Sequence, residues 1–322
     1  MNKANNTYDL EIIAGPCSIT PKNTEEIIDD IAAIRTPNGN RAIFGTRVVG
    51  LKSRTALDLE GEGMGIDSQA IQKAMILPPH ERMQIKIPSV ELAEKIVKET
   101  GMVITTEIMI PHIQLPYWES KKLFQGKLMV WNPAVNQLGW NIYEMGEFAQ
   151  RNDWNIGIKH GKFLGKDPLE VANHPEYKGE TSMEKVLVGL TSYVPEMKEE
   201  LIIIHRGVDV PGRGDYRNAI THEIMKRIKK KIPKSNRLYF DPTHSIGPVM
   251  RHKIIDEIIS AMQLRSGNEY LYDGILMEAG SSSPVDLGEH VTLAELKELV
   301  KDLSSFRVLR SPDTFPSYQY AL

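Results

Sequence analysis

The chain holds one cysteine, Cys17, in 322 residues, so no internal disulfide can belong to its framework. No apolar run approaches the ~20 residues that cross a bilayer, and the opening MNKANNTYDLEIIAG lacks the apolar core of a secretion signal. Positive charge is not in excess: the formal net charge is −3, which excludes a broad nucleic-acid surface. No low-complexity linker or change of composition divides the chain, and no G-x-G-x-x-G follows its first apolar run. These absences predict a cytoplasmic protein without nucleic-acid or membrane partners. With 41% hydrophobic and 25% charged residues, the chain has ample material for a sizeable core.

What is present is an alternation. Short apolar runs recur in LEIIAG, RAIFGTRVVGL, MVITTEI, KLMVWNPA, NIGIKHG, LIIIHRG, RLYFDPTHS and DGILMEAG. Unbroken apolar runs of this length read as strands buried on both faces of a parallel sheet. Between them TEEIIDDIAAI, SVELAEKIVKE, NIYEMGEFAQRN, SMEKVLVGLTSYVPEMKEE, RNAITHEIMKRIKKK, HKIIDEIISAMQL and TLAELKELVKDL have helical spacing. Eight βα units predict a single (β/α)8 TIM barrel over about residues 9–304, with the tail 305–322 unassigned. A doubly wound open sheet is the alternative. The segments 53–82, 161–182 and 207–216 are long and polar or rich in Gly and Pro, and they follow strand ends. A barrel places its active-site loops there.

The polar residues that close each run carry the chemistry. They are Cys17, then Arg47, Lys52, Arg54 and Thr55, then Glu107, Lys159 with His160, His205 with Arg206, Asp241 with His244, and Glu278 with Asp286 beyond. In a barrel all would meet at the C-terminal mouth. Cys17, His244, Glu278 and Asp286 form a mixed S/N/O donor set suited to Mn²⁺, Fe²⁺, Co²⁺ or Zn²⁺. Arg47, Lys52, Arg54, Lys159 and Arg206 form a cationic set, suited to phosphate and carboxylate. Each residue taken singly has a bland reading: an inert buried thiol, a capping histidine, solvated loop charges. His112, His174, His252 and His290 stay in that class.

In this order A-G-P-C-S-I, R-V-V-G-L-K-S-R-T, T-T-E-I-M, I-K-H-G-K-F-L, H-R-G, Y-R-N, F-D-P-T-H-S and G-I-L-M-E-A-G resemble the motifs of the phosphoenolpyruvate-dependent 3-deoxy-sugar-acid synthases, over about residues 10–300. These are the 3-deoxy-D-arabino-heptulosonate 7-phosphate (DAHP) and 3-deoxy-D-manno-octulosonate 8-phosphate synthases. The resemblance implies a TIM barrel that condenses phosphoenolpyruvate with an aldose phosphate, releasing phosphate. It also implies a divalent metal on Cys17, His244, Glu278 and Asp286, and substrate contacts from Arg47, Lys52, Arg54, Thr55, Ala134, Lys159 and Arg206. Lys159 would serve as proton donor, and Glu107 would hold the attacking water. Such synthases are commonly homo-oligomers.

Lys52–Thr55 (K-S-R-T) and Tyr216–Asn218 (Y-R-N) are similar to DAHP synthases, which take erythrose 4-phosphate in the first step of the shikimate pathway to aromatic amino acids. Trp131–Val135 (W-N-P-A-V) and K-H-G-K-F-L are closer to the octulosonate synthases, which take arabinose 5-phosphate. The chain departs from both. The G-A-R arginine is missing, leaving Lys162 or Lys166 as substitutes, His205 stands where glutamate is usual, and Ala-Gly-Ser follows Glu278. No regulatory segment outside the barrel is visible. Two other classes remain open: an unrelated barrel aldolase or phosphatase, and a non-catalytic phosphometabolite-binding barrel.

Overall fold

Each apolar run read from the sequence forms a strand, and the strands close on themselves. The computed structural model describes residues 10–52, 64–134, 139–160, 164–194, 201–281 and 287–314. The barrel strands are β1 (Glu11–Gly15), β2 (Gly45–Arg47), β3 (Val103–Glu107), β4 (Leu128–Trp131), β5 (Asn155–Lys159), β6 (Leu201–His205), β7 (Arg237–Phe240) and β10 (Gly274–Glu278). A small antiparallel ribbon, β8 (Arg265–Ser266) with β9 (Glu269–Tyr270), precedes the last of them. The order β1-β10-β7-β6-β5-β4-β3-β2 is a closed, all-parallel ring surrounded by helices, a (β/α)8 TIM barrel. No helix among the described residues is long and apolar enough to cross a membrane.

Alternation along each strand divides the core. Ile12, Ala14, Ile104, Val130, Ile156, Ile158 and Ile203 pack outward on the helices, within the large interlayer cluster. Ile13, Val103, Met129, Trp131, Ile202, Ile204, Tyr239 and Leu276 form a second cluster inside the barrel. The helices start where the sequence offers caps. Thr20, Thr181 and Thr292 each accept from the backbone N–H three residues on, and the N3 side chain reaches back in each case.

Helical spacing alone misplaces some boundaries. Arg217–Thr221 reads as the start of a helix but is a bend leading into a bridge of Ala219 to Val208, and the helix begins at His222. The first helix passes from α to π geometry at Ile27–Ile31. Pro111–Glu119 is a helix that the sequence hides, because Pro116 lies inside it.

The N-terminal end of the barrel is closed by a buried polar network. Arg237 Nη1 donates to both carboxylate oxygens of Glu11 at 2.8 and 2.7 Å. Tyr239 and Arg310 add short contacts to the same carboxylate. The residues after the last helix thus have a defined place: Leu10 N–H donates to Val308 O and Arg310 N–H to Leu10 O, laying Leu309 beside the start of β1.

Candidate active site

At the opposite, C-terminal end the inward positions turn polar. Gly15 closes β1 opposite Glu278. A Cβ at Gly15 would sit 2.5 Å from Thr46 Oγ1 and 2.9 Å from Arg47 N, so only glycine lets β1 come this close to the strand that carries Arg47. The chain then turns through Pro16 to Cys17, which is fully buried.

Asp241 is the hub. It caps the short helix Pro242–Ile246, accepting from His244 N–H at 3.2 Å and from Thr243 Oγ1 at 3.2 Å. His244 Nδ1 lies 3.0 Å from the same oxygen, so Asp241 holds the tautomer with the proton on Nδ1 and leaves the Nε2 lone pair free to face the site. Its other oxygen is 2.7 Å from Lys159 Nζ. The F-D-P-T-H-S motif is therefore one unit, with Asp as anchor, Pro as the first helical residue, Thr donating inward and His projecting. Asn218 and Arg217 of Y-R-N brace it, their N–H groups donating to Ser245 O and Ile246 O.

Electrostatics fix the protonation states. Burial lowers the His244 pKa to about 3 despite Asp241, so the imidazole is neutral. Burial alone would raise the Asp241 carboxyl, but His244 and Lys159 hold it well below the ordinary carboxylate range. Burial pushes the Lys159 amine below its ordinary value, and Asp241 only partly restores it. Glu278 is also held low: burial would raise it, but His244, Arg47, Lys52 and His290 together hold it well below the ordinary carboxylate range, and Arg47 Nη2 donates to its Oε1 at 3.0 Å.

Several strong donors and acceptors here have no partner. Arg47 is 2% exposed, yet its Nε and Nη1 make no hydrogen bond, and neither does Arg206 Nε or Glu278 Oε2. Such buried guanidinium groups suit an incoming anion. Lys52 Nζ donates to Cys17 O at 3.1 Å and to Cys17 Sγ at 2.9 Å. The charges of Cys17, Glu107, Asp241 and Glu278 act on Arg47, and Arg47, Glu107, Asp241 and Arg206 act on Lys159. One shared field therefore joins Cys17, Arg47, Lys52, Glu107, Lys159, Arg206, Asp241, His244 and Glu278.

The His244–Glu278 pair tests the metal expectation. Nε2 of a neutral imidazole and Oε1 of a carboxylate lie 3.6 Å apart, two acceptors facing each other in a buried site. A cation between them relieves that opposition, and an Asp-oriented histidine is the usual partner of a bound metal. Among the described residues no three His, Cys, Asp or Glu side chains group closely enough to hold a metal. Asp286 lies outside the described residues, and the Cys17 sulfur is engaged by Lys52. The residues present fit a divalent ion at His244 and Glu278. His290 lies beside Glu278 without completing a three-residue group, its Nε2 3.8 Å from Glu278 Oε2 and its side chain buried. Sequence spacing carries no sign of this. The bridge Ala279↔Val291 brings the chain back beside β10 and places His290 there.

Other expected residues lie elsewhere. His160 and His205 do not face the mouth. They follow Lys159 and Ile204, which point inward, so alternation turns them outward. There His160 Nε2 and His205 Nδ1 meet at 3.1 Å, and His205 stacks on Phe240 beneath Tyr272. Ala134 is half-buried just past β4, behind Asn132, whose side chain bonds the Lys159 backbone N–H and O. Arg54, Thr55 and Lys162 lie outside the described residues, and Lys166 is exposed. His112, His174 and His252 are exposed, away from the site.

Compared with protein-family models and with curated proteins, the chain finds no match in either.

Proposed function

We propose that this protein is a metal-dependent synthase. It condenses phosphoenolpyruvate with erythrose 4-phosphate and water, giving DAHP and inorganic phosphate. The supporting observation is the pairing, at one barrel mouth, of cations bearing buried, unused donors (Arg47 and Arg206) with a neutral His244 opposed to Glu278. A polyanion and a Lewis-acidic metal both fit that arrangement.

The roles follow from position. Arg47 is anchored to Glu278 through Nη2, so its Nε and Nη1 are held in place as unused donors for a carboxylate or phosphate. Arg206 and Lys52 add positive charge for the second phosphate. A divalent metal on His244 and Glu278, with Cys17 and Asp286 as further donors, supplies polarisation of the aldehyde oxygen when bound. As C3 of phosphoenolpyruvate bonds to the aldehyde carbon, that oxygen gathers negative charge, and Lys159 delivers a proton to it. The lowered pKa of Lys159 favours the transfer, and Asp241 holds the amine in place. Glu107 accepts a hydrogen bond from the water that adds at C2. The C2–O bond to phosphate then breaks, releasing inorganic phosphate and the 2-keto acid.

Arabinose 5-phosphate is the alternative acceptor, favoured because Trp131–Ala134 supplies no arginine where the heptulosonate enzymes carry one. The test is phosphate release from phosphoenolpyruvate by the Mn²⁺-loaded protein with erythrose 4-phosphate, arabinose 5-phosphate or no aldose, each with and without chelator. Chelator-sensitive release with a single aldose supports the proposal and names the acceptor. Release without any aldose assigns a phosphatase, and saturable phosphoenolpyruvate binding without release assigns a binding protein.

A further inference from the structure

The end of β4 carries a residue whose chemistry the roles above leave unused. Trp131 is 1% exposed and pairs in register with Glu107 on one side and Gly157 on the other. A Cβ on Gly157 would lie 2.9 Å from Trp131 Cβ, so that glycine makes room for the residue beside it. Trp131 belongs to the cluster inside the barrel, one inward position below Lys159. From above, the Arg47 guanidinium approaches its ring centroid to 5.9 Å and Lys159 Nζ to 6.0 Å. The ring therefore lies at the boundary between the polar mouth and the apolar interior, within cation–π range of both cations.

Its Nε1 is buried and has no hydrogen-bond partner. A buried indole N–H normally finds one, and leaving it bare is costly. Phenylalanine would fill the same floor without that penalty. The nearby Nε and Nη1 of Arg47 are bare as well. Orphaned donors from β2 and β4, on side chains within cation–π range of each other, make a receptor for a small oxyanion.

We infer that Trp131 is a substrate-contacting residue: its ring floors the site, and its indole N–H donates to the phosphoenolpyruvate carboxylate held by Arg47. This rests on the synthase reading and extends it. It assigns the carboxylate to the β2–β4 side of the mouth, and it explains why a tryptophan rather than a smaller apolar residue closes this floor.

The test is Trp131→Phe, which keeps the floor and removes the donor. Phosphoenolpyruvate binding is measured by calorimetry on wild type and variant, with steady-state kinetics alongside. Loss of one hydrogen bond to a charged group predicts binding about 10- to 100-fold weaker, with KM raised in step and kcat within about a factor of two. Equal affinity in wild type and variant overturns the inference. Absence of phosphoenolpyruvate binding by wild type overturns the synthase reading instead.

If the variant does not fold, ¹⁵N-indole spectra of the wild type decide. The chain has 4 tryptophans, and the ligand must shift a buried indole N–H resonance downfield. No such shift overturns the proposal.

Discussion

Replacing Asp241 by Asn isolates the electrostatics of the site, because the new side chain keeps an oxygen for His244 and Thr243 and removes only the charge. Lys159 Nζ lies 2.7 Å from Asp241 Oδ2, with the lysine side chain 4% exposed and the aspartate fully buried. At an effective dielectric near 20, that separation corresponds to an attraction of about 6 kcal/mol. Desolvation offsets part of it, and removing one partner of a buried pair typically costs ~3–5 kcal/mol. An upper bound comes from the lysine itself, which can shed its proton at pH 7 for about 4.6 kcal/mol, the gap from its ordinary pKa of ~10.4 at ~1.36 kcal/mol per unit.

Asp241→Asn is therefore expected to lose about 3–4 kcal/mol in urea unfolding. Adding Lys159→Met should return most of it, because no charge is then stranded. The sign with pH is fixed. In the single variant the folded Lys159 pKa falls further below its unfolded value, so the unfolded chain binds more protons. Stability then rises with pH, and the deficit shrinks between neutrality and about pH 10. A single variant within 0.5 kcal/mol of wild type, or a strictly additive double variant, would refute the ion-pair argument.

Cys17→Ser should weaken metal affinity and activity together, by about tenfold or more, because a hydroxyl replaces a thiolate. Full activity of that variant in the presence of chelator removes Cys17 from the metal set. Gly15→Ala should cost roughly 1–3 kcal/mol by overpacking, given the 2.5 Å approach of its Cβ to Thr46 Oγ1. Because Arg47 N is also crowded, phosphoenolpyruvate binding should fall as well. Adding Thr46→Ala should recover part of the stability, and thermal melts of the set decide.

The strands were legible because each is an apolar run buried on both sides, a pattern that few alternatives share. Leu201–Ile204 and Ile275–Met277 are examples. Boundaries were less legible where a local signal points the wrong way. Pro116 argues against the helix that contains it, and the helix-friendly Arg217–Ile220 is claimed instead by the backbones of Val208 and Ser245. Within the site, the cations and His244 could be named from their places after strands. The error over His160 and His205 was avoidable, since neighbouring residues on a strand cannot both face the lumen. His290 and the central role of Asp241 were not accessible in this way. One depends on a bridge formed after β10, the other on which acceptor a buried imidazole selects.

The network at the floor has a bearing on biosynthesis. Glu11 and Arg310 are separated by 299 positions, which at ~5–20 residues per second is roughly 15–60 s of translation. Until β10 emerges from the ribosome β1 lacks its partner on one side, and until the segment around Leu309 follows the Glu11 carboxylate lacks Arg310. The nascent chain must therefore carry an open sheet edge from the emergence of β1 until that of β10. Ring closure waits for β10, and the floor is sealed only once Arg310 follows it.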